Sequence, residues 1–503
     1  MSGCVYLIGA GPGDPGLLTL RGAELLKRAD VVLYDGLSNS DILAHAPSAT
    51  HICVGKHGQS RIWTQEEIIA EMLRHARLGS RVARLKGGDP AVFARTAEET
   101  EALKAADIRF EIVPGITAAL AAGSYAGIPI THRRYASAVA LVTGHEEPGK
   151  PETSLDWEAL ARFPGTLVVY MGVTTARVWT SALISSGKPG DTPAAIVRHC
   201  SLADQQTIPC RLDEVADKLT PASKLRPPVI VILGEVSRLS ETMSWFERRP
   251  LFGRMILITR SEQQSGELAE PIRELGATVM EQPAIEIDEP DSWRDVDSLI
   301  SRVSEFDFLL FSSRNGVLYF FRRLLSLGHD MRCLASVKLG VVGRRTADAL
   351  NEFHLIADLI PSDFSAASLA DLLRPVADGK RFALIRASRG PDTLATLLRQ
   401  FGGEVTQVIA YSHRDVVEAD PLVITKLQRG EIDWITVTSS AIAGSLNRLL
   451  GNLLPNAKLA SLSPAITQSL VELGLRVSAE AKSATMPSLI EAIQAAESTP
   501  LCQ

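Results

Sequence analysis

Two stretches of this chain occur twice, and the repetition sets the plan of its C-terminal half. GRMILITR (Gly253–Arg260) returns as GKRFALIRA (Gly379–Ala387), and FDFLLFSSRNGV (Phe306–Val317) returns as IDWITVTSSAIA (Ile432–Ala443). The offsets nearly agree: 381 − 254 = 127 for Arg254 and Arg381, and 433 − 307 = 126 for Asp307 and Asp433. Two separated pairs at one spacing argue for tandem duplication. After each first segment come a helical pattern and then Gly276–Ile287 or Gly402–His413. Such a half folds as two similar α/β lobes, and the cleft between lobes is a common place for a ligand.

The N-terminal half alternates short β-branched runs with helical patterns, which is an α/β layout. Val5–Ala10, Val31–Asp35, His51–Lys56, Arg81–Asp89, Ala138–His145, Thr166–Gly172, Pro193–His199 and Pro228–Val236 read as strands; Leu18–Ala29 and Gln65–Gly79 read as helices. WFERRPLFGR (Trp245–Arg254), with Pro250 and Gly253, reads as a break. The expected division is 1–245, a linker over 246–253, and 254–503.

Composition narrows the function. The chain has 503 residues, is 46% hydrophobic and carries a formal charge of −6, so neither nucleic acid nor an anionic membrane is expected as a partner. No apolar run approaches the roughly 18 residues that cross a bilayer. The six cysteines (Cys4, Cys53, Cys200, Cys210, Cys333 and Cys502) show no CxxC spacing, so no metal is expected. The start, MSGCVYLIGAGPGDPG, lacks a basic n-region, and a cytoplasmic location is expected.

Four clusters in the first half carry chemistry. Gly9-Ala10-Gly11-Pro12-Gly13-Asp14-Pro15-Gly16 lies between a strand and a helix. It is not a dinucleotide fingerprint: Asp14 stands where the third glycine belongs, and Pro12 removes an amide. Arg84-Leu85-Lys86-Gly87-Gly88-Asp89-Pro90 sets paired glycines beside a carboxylate, which suits a ligand bearing a cation and hydroxyls. Val113-Pro114-Gly115-Ile116-Thr117-Ala118 brings free amides of a helix start to one point, and Tyr170-Met171-Gly172 closes the set. Singly, each is an ordinary turn or core filler.

In this order they resemble the uroporphyrinogen-III C-methyltransferases of the tetrapyrrole methylase family, from about Val5 to Val236. The resemblance implies a two-lobed α/β fold, S-adenosylmethionine bound between the lobes, and a homodimer. It also implies that Pro12, Gly87, Gly88, Asp89, Val92, Thr117, Ala118, Met171 and Cys200 line the cofactor site. Asp35 corresponds to the family's proton acceptor and Lys56 to its proton donor. The implied reaction adds methyl groups at C2 and C7 of uroporphyrinogen III to give precorrin-2, on the way to sirohaem or cobalamin. Gly36, Thr96, Arg134 and Cys200 depart from the family's usual residues.

The second half has arginines at strand ends and in the loops after them: Arg260, Arg314, Arg344, Arg345, Arg386 and Arg389. Their forked guanidinium groups suit a polycarboxylate. ILITR, FSSRNGVLYFF, VVGRRTADAL, ALIRA, VIAYSHR and DWITVTSS together resemble the uroporphyrinogen-III synthases. That family closes hydroxymethylbilane into uroporphyrinogen III with inversion of ring D, without a cofactor. The resemblance places lobe one at about 254–287 plus 416–497, lobe two at about 290–411, and Tyr411 near the cleft as a catalytic residue. Ile466 stands where the family carries a hydroxyl. Two other classes compete: a nicotinamide dehydrogenase, and a methyltransferase whose C-terminal half is a non-catalytic tetrapyrrole-binding or regulatory module.

Overall fold

The computed structural model describes residues 3–36, 39–55, 63–145, 154–223 and 225–498. Two compact units separate: Met1–Arg254 with Ile272–Thr278, and Met255–Pro271 with Val279–Gln503.

The first unit holds two five-stranded sheets. β1 (Cys4–Gly9), β2 (Val31–Tyr34), β3 (Thr50–Cys53), β4 (Arg81–Lys86) and β5 (Arg109–Val113) form a parallel sheet in the order β3-β2-β4-β1-β5. β6 (Val139–Thr143), β7 (Thr166–Tyr170), β8 (Pro193–Arg198), β9 (Gln206–Arg211) and β10 (Val229–Leu233) form a mixed sheet in the order β6-β7-β10-β8-β9. Both faces of each sheet are covered. Val5, Leu7 and Leu33 pack on Met72 to one side, while Ile8, Val32 and Leu85 meet Leu25 and Leu26 on the other. Strands buried on two faces need apolar residues at successive positions, which is why these runs are continuous rather than alternating. β9 was not visible as a strand because Pro209 interrupts it; a proline is tolerated there because β9 is a sheet edge.

In the second unit the strands are β11 (Met255–Ile258), β12 (Thr278–Glu281), β13 (Ile285–Asp288), β14 (Phe308–Phe311), β15 (Lys338–Val341), β16 (Arg381–Ala387), β17 (Glu404–Asp415), β18 (Trp434–Val437), β19 (Lys458–Ser461) and β20 (Val477–Glu480). They make two sheets, ordered β12-β11-β18-β19-β20 and β13-β17-β16-β14-β15. The duplicated segments take equivalent places: β11 beside β18 in one lobe, β16 beside β14 in the other. The repeated aspartate does the same work twice. Asp433 Oδ2 accepts from the Met255 amide at 2.8 Å, and Asp307 Oδ2 accepts from the Arg381 amide at 2.9 Å. Met255 and Arg381 are thus the matching positions, 381 − 255 = 126, the same spacing as the aspartates.

The lobes are expected at about 254–287 plus 416–497 and at about 290–411. β13 pairs antiparallel with the last residues of β17, Ile285 opposite Asp415 and Asp288 opposite Ser412, so 285–288 and 412–415 belong to lobe two. The expected linker, 246–253, is packed: Phe246 is 3% exposed and Leu251 fully buried. Among the described residues no helix is long and apolar enough to cross a membrane.

Candidate functional site

In the first unit the loops that follow β1, β4 and β5 are tied to one another, and the last residue of β7 reaches the third. The Gly11 amide donates to the Gly88 carbonyl at 3.1 Å and the Gly88 amide returns to Gly11 at 2.7 Å. Gly9, Gly88 and Gly115 meet backbone to backbone: a Cβ on Gly115 would stand 2.3 Å from the Gly88 oxygen and 2.7 Å from Gly9 Cα. Gly88 also has φ +71°, which a side chain resists. Asp89 is held by two amides, Ala91 on Oδ1 at 2.7 Å and Gly115 on Oδ2 at 2.9 Å.

Thr117 and Tyr170 join hydroxyls at 2.7 Å, and the Ala119 amide donates to the same phenol oxygen at 2.9 Å. Burial pushes the Tyr170 phenol above its usual range. Met171 follows with φ +54° and is 50% exposed; Phe93, whose ring lies 5.1 Å from Tyr170, has φ +49° and is 43% exposed. Both residues therefore present apolar side chains to solvent from left-handed backbone. Cys200 is buried, and its thiol is pushed up to about 12, so it acts as a small filler and not as a nucleophile. Its carbonyl oxygen would stand 3.2 Å from a Cβ placed on Gly13, so its backbone touches the glycine loop. Pro12 is in that loop, and Val92 and Ala118 pack against the core beneath it. The clusters read from sequence therefore come together.

Asp35 follows β2 directly. Because Tyr34 pairs with Leu85, Asp35 lies beside the end of β4, and the Gly87 amide reaches its Oδ2 at 3.4 Å. Lys56 lies outside the described residues. Thr96, at the start of the helix Thr96–Ala105, donates its hydroxyl to the Pro90 carbonyl and ties that helix to the GGDP loop.

Sequence reasoning missed one group. Glu99 is fully buried and meets Lys86 Nζ at 2.6 Å, Arg84 Nε at 3.4 Å and Gln65 Nε2 at 3.2 Å. Burial pushes the Lys86 ammonium below its usual range, with Glu99 opposing. The signal was available: Arg84 and Lys86 are two apart on a strand, so both point to one face, and two buried cations require a carboxylate.

In the second unit Tyr411 is 4% exposed on β17, and burial pushes its phenol upward. Its hydroxyl meets Ser313 Oγ at 2.9 Å, and Ser313 caps the helix Arg314–Ser326. Tyr319 stacks on it at 5.8 Å and His413 lies 5.2 Å away edge-on. Of the arginines, Arg314 pairs with Glu352 at 2.9 Å, Arg345 with Glu267 at 3.4 Å, Arg386 with Asp392, and Arg389 with Asp415 at 2.9 Å. Ile466 is buried, and the Thr467 hydroxyl is engaged by Ser461 and Glu480.

Two α/β units are thus defined, one with glycine loops tied together beside Asp89 and Thr117, the other with arginines after duplicated strands. Comparison with known proteins says which they are. A family model for tetrapyrrole (corrin/porphyrin) methylases matches residues 4–216, and one for uroporphyrinogen-III synthase HemD matches 266–491. The porphyrin biosynthesis protein HemD of Ruminiclostridium josui is 38% identical over 441 residues, 87% of this chain and 87% of that one. The S-adenosyl-L-methionine-dependent uroporphyrinogen III methyltransferase of Methanosarcina barkeri is 46% identical over 242 residues, 48% of this chain and 94% of its own length. A uroporphyrin-III C-methyl transferase structure from Thermus thermophilus, complexed with S-adenyl homocysteine, is 43% identical and covers 47% of this chain and 100% of its own, with a TM-score of 0.41. The chain belongs to the tetrapyrrole methylases over its first half and to the uroporphyrinogen-III synthases over its second. It is a bifunctional enzyme of tetrapyrrole biosynthesis, an S-adenosylmethionine-dependent uroporphyrinogen-III C-methyltransferase fused to a uroporphyrinogen-III synthase.

Proposed function

We propose that the second unit closes hydroxymethylbilane into uroporphyrinogen III with ring D inverted, and that the first methylates this product at C2 and C7 to give precorrin-2. The observation that carries the reading is the tying together of the glycine loops, Asp89 and Thr117, with the hydroxyl of Tyr170, the residue before exposed Met171, reaching Thr117. These residues fit S-adenosylmethionine: side-chain-free backbone at Gly88 admits close approach, and Asp89 is a fixed carboxylate for a cationic or hydroxylated ligand. Pro12, Gly87, Gly88, Asp89, Val92, Thr117, Ala118, Met171 and Cys200 hold it. Bound there, it supplies an electrophilic methyl on a sulfonium.

Asp35, beside the GGDP loop, takes the proton that the substrate carbon framework releases, as a general base. Lys56 returns one. In the second unit Tyr411 and the surrounding arginines hold the linear chain so that its ends meet, which is catalysis by positioning. A homodimer through the first unit is supported by exposed Leu20 (91%) and Leu120 (53%), and by Phe110 and Ile112 on edge strand β5. A reducing cytoplasm is supported by free Cys4, Cys53, Cys200, Cys210 and Cys333.

The test is anaerobic incubation of the full chain with hydroxymethylbilane and S-adenosylmethionine, followed by absorbance and mass. Precorrin-2 is expected. Unmethylated uroporphyrinogen III would sink the methylation reading, and products of the I series alone would sink the cyclisation reading.

A further inference from the structure

The residues just after the methyltransferase's last strand form an arm that lies back on that unit. A Cβ on Gly127 would stand 2.4 Å from the Met243 carbonyl carbon, so the arm passes directly over it. Trp245 Nε1 donates to the Ser124 carbonyl at 3.0 Å. Phe246 packs edge-on against Tyr125 at 4.6 Å, and the Arg249 guanidinium sits 3.8 Å over the Phe246 ring.

From the arm two chains of contacts run inward, and both end on Asp14 of the glycine loop. In the first, Phe246 and Trp245 hold the Tyr125 ring, and the Tyr125 hydroxyl donates to Asp14 Oδ2 at 3.0 Å. In the second, Glu247 Oε1 accepts from Gln205 Nε2 at 2.8 Å; Gln205 Oε1 accepts from the Ser201 amide at 2.9 Å; Ser201 Oγ accepts from the Asp14 amide at 3.0 Å. Asp14 in turn fixes the loop by accepting from the Gly16 amide at 2.8 Å. Ser201 has φ +67° and His199 φ +49°, so the turn between the arm and the loop is held in backbone that relaxes unless something pins it.

We infer that Tyr125 and Glu247 are positioning residues for S-adenosylmethionine, acting through Asp14 to set the glycine loop. This rests on the cofactor site proposed above. The arm leads straight into the first strand of the synthase, so the segment that joins the two enzymes is also a structural part of one active site.

The test uses the full chain and the variants Tyr125→Phe and Glu247→Ala. Calorimetric titration with S-adenosylhomocysteine gives affinity, and initial rates of uroporphyrinogen III methylation separate KM from kcat. Losing a hydrogen bond to a charged group is expected to weaken S-adenosylhomocysteine and raise the S-adenosylmethionine KM about tenfold in each variant. kcat at saturation and cyclisation of hydroxymethylbilane stay at wild-type values, and Glu247→Gln, which keeps an acceptor oxygen, restores affinity. Wild-type affinity in both variants, or a fall in kcat at unchanged KM, overturns the inference alone. Absence of S-adenosylhomocysteine binding by the wild-type chain overturns the site assignment and this inference with it.

Discussion

Glu99 has no exposed surface and two cations upon it, with Lys86 at 2.6 Å and Arg84 at 3.4 Å. Removing one charge from a buried pair leaves the other uncompensated, which costs roughly 3 kcal/mol or more. Glu99→Gln is therefore expected to destabilise the first unit by about 3 kcal/mol in denaturant titration. A loss below about 1 kcal/mol would mean that water reaches the group and that the pair is not structural. At this scale the sequence was uneven. Asp89, Thr117 and Met171 stand out in the sequence because their motifs are contiguous. Asp14 was read only as an obstacle to a dinucleotide fold. Its partners Tyr125 and Ser201 lie 111 and 187 positions away, and no local pattern announces such contacts.

Among the elements, β17 is the most informative, since its last residue joins both lobes of the synthase. Asp415 accepts from Arg389, in the loop after β16, at 2.9 Å. It also accepts from Ser445 and Arg448, each at 2.7 Å, on the helix Ser440–Leu450 that follows β18. These donors hold the Asp415 carboxyl well below the usual carboxylate range, Arg389 contributing most. Its pKa is lower folded than unfolded, so acid favours the unfolded state, which binds the proton more readily. The stabilisation is complete above the unfolded pKa of about 4 and disappears as pH falls through the folded value. Asp415→Asn should therefore melt below wild type at pH 7, by roughly 1 kcal/mol for so accessible a cluster. The gap should narrow as pH is lowered past 4; a gap constant down to pH 2.5 would remove the carboxylate as its cause. The two copies part at this strand for a definite reason. Gly276–Ile287 and Gly402–His413 look like copies, but Pro283 falls where the second copy has Ile409. Lacking an amide, Pro283 divides the first copy into β12 and β13, and β13 passes to the other sheet.

For the whole molecule, the duplication and the two-enzyme plan were open to reading because both rest on long-range order in the chain: a spacing of 126, and four glycine motifs in series. What such order means for catalysis is a question of rates. Covalent fusion places a newly formed uroporphyrinogen III near a methyltransferase, with an effective concentration on the order of mM for a short tether. Yet enzyme turnovers are typically on the order of 10 per second, whereas diffusional encounter and escape are far faster. A released tetrapyrrole therefore mixes with the bulk before it is methylated, unless a surface retains it. With hydroxymethylbilane supplied in excess, methylated product should then appear after a lag, while free uroporphyrinogen III builds to its steady level. That lag should lengthen in inverse proportion to enzyme concentration, since the consuming activity is diluted with the rest. A stopped-flow series over a hundredfold dilution at fixed S-adenosylmethionine measures it. A lag that does not change with dilution would show that the intermediate passes within one chain, and fusion would then be a conduit rather than a means of equal supply.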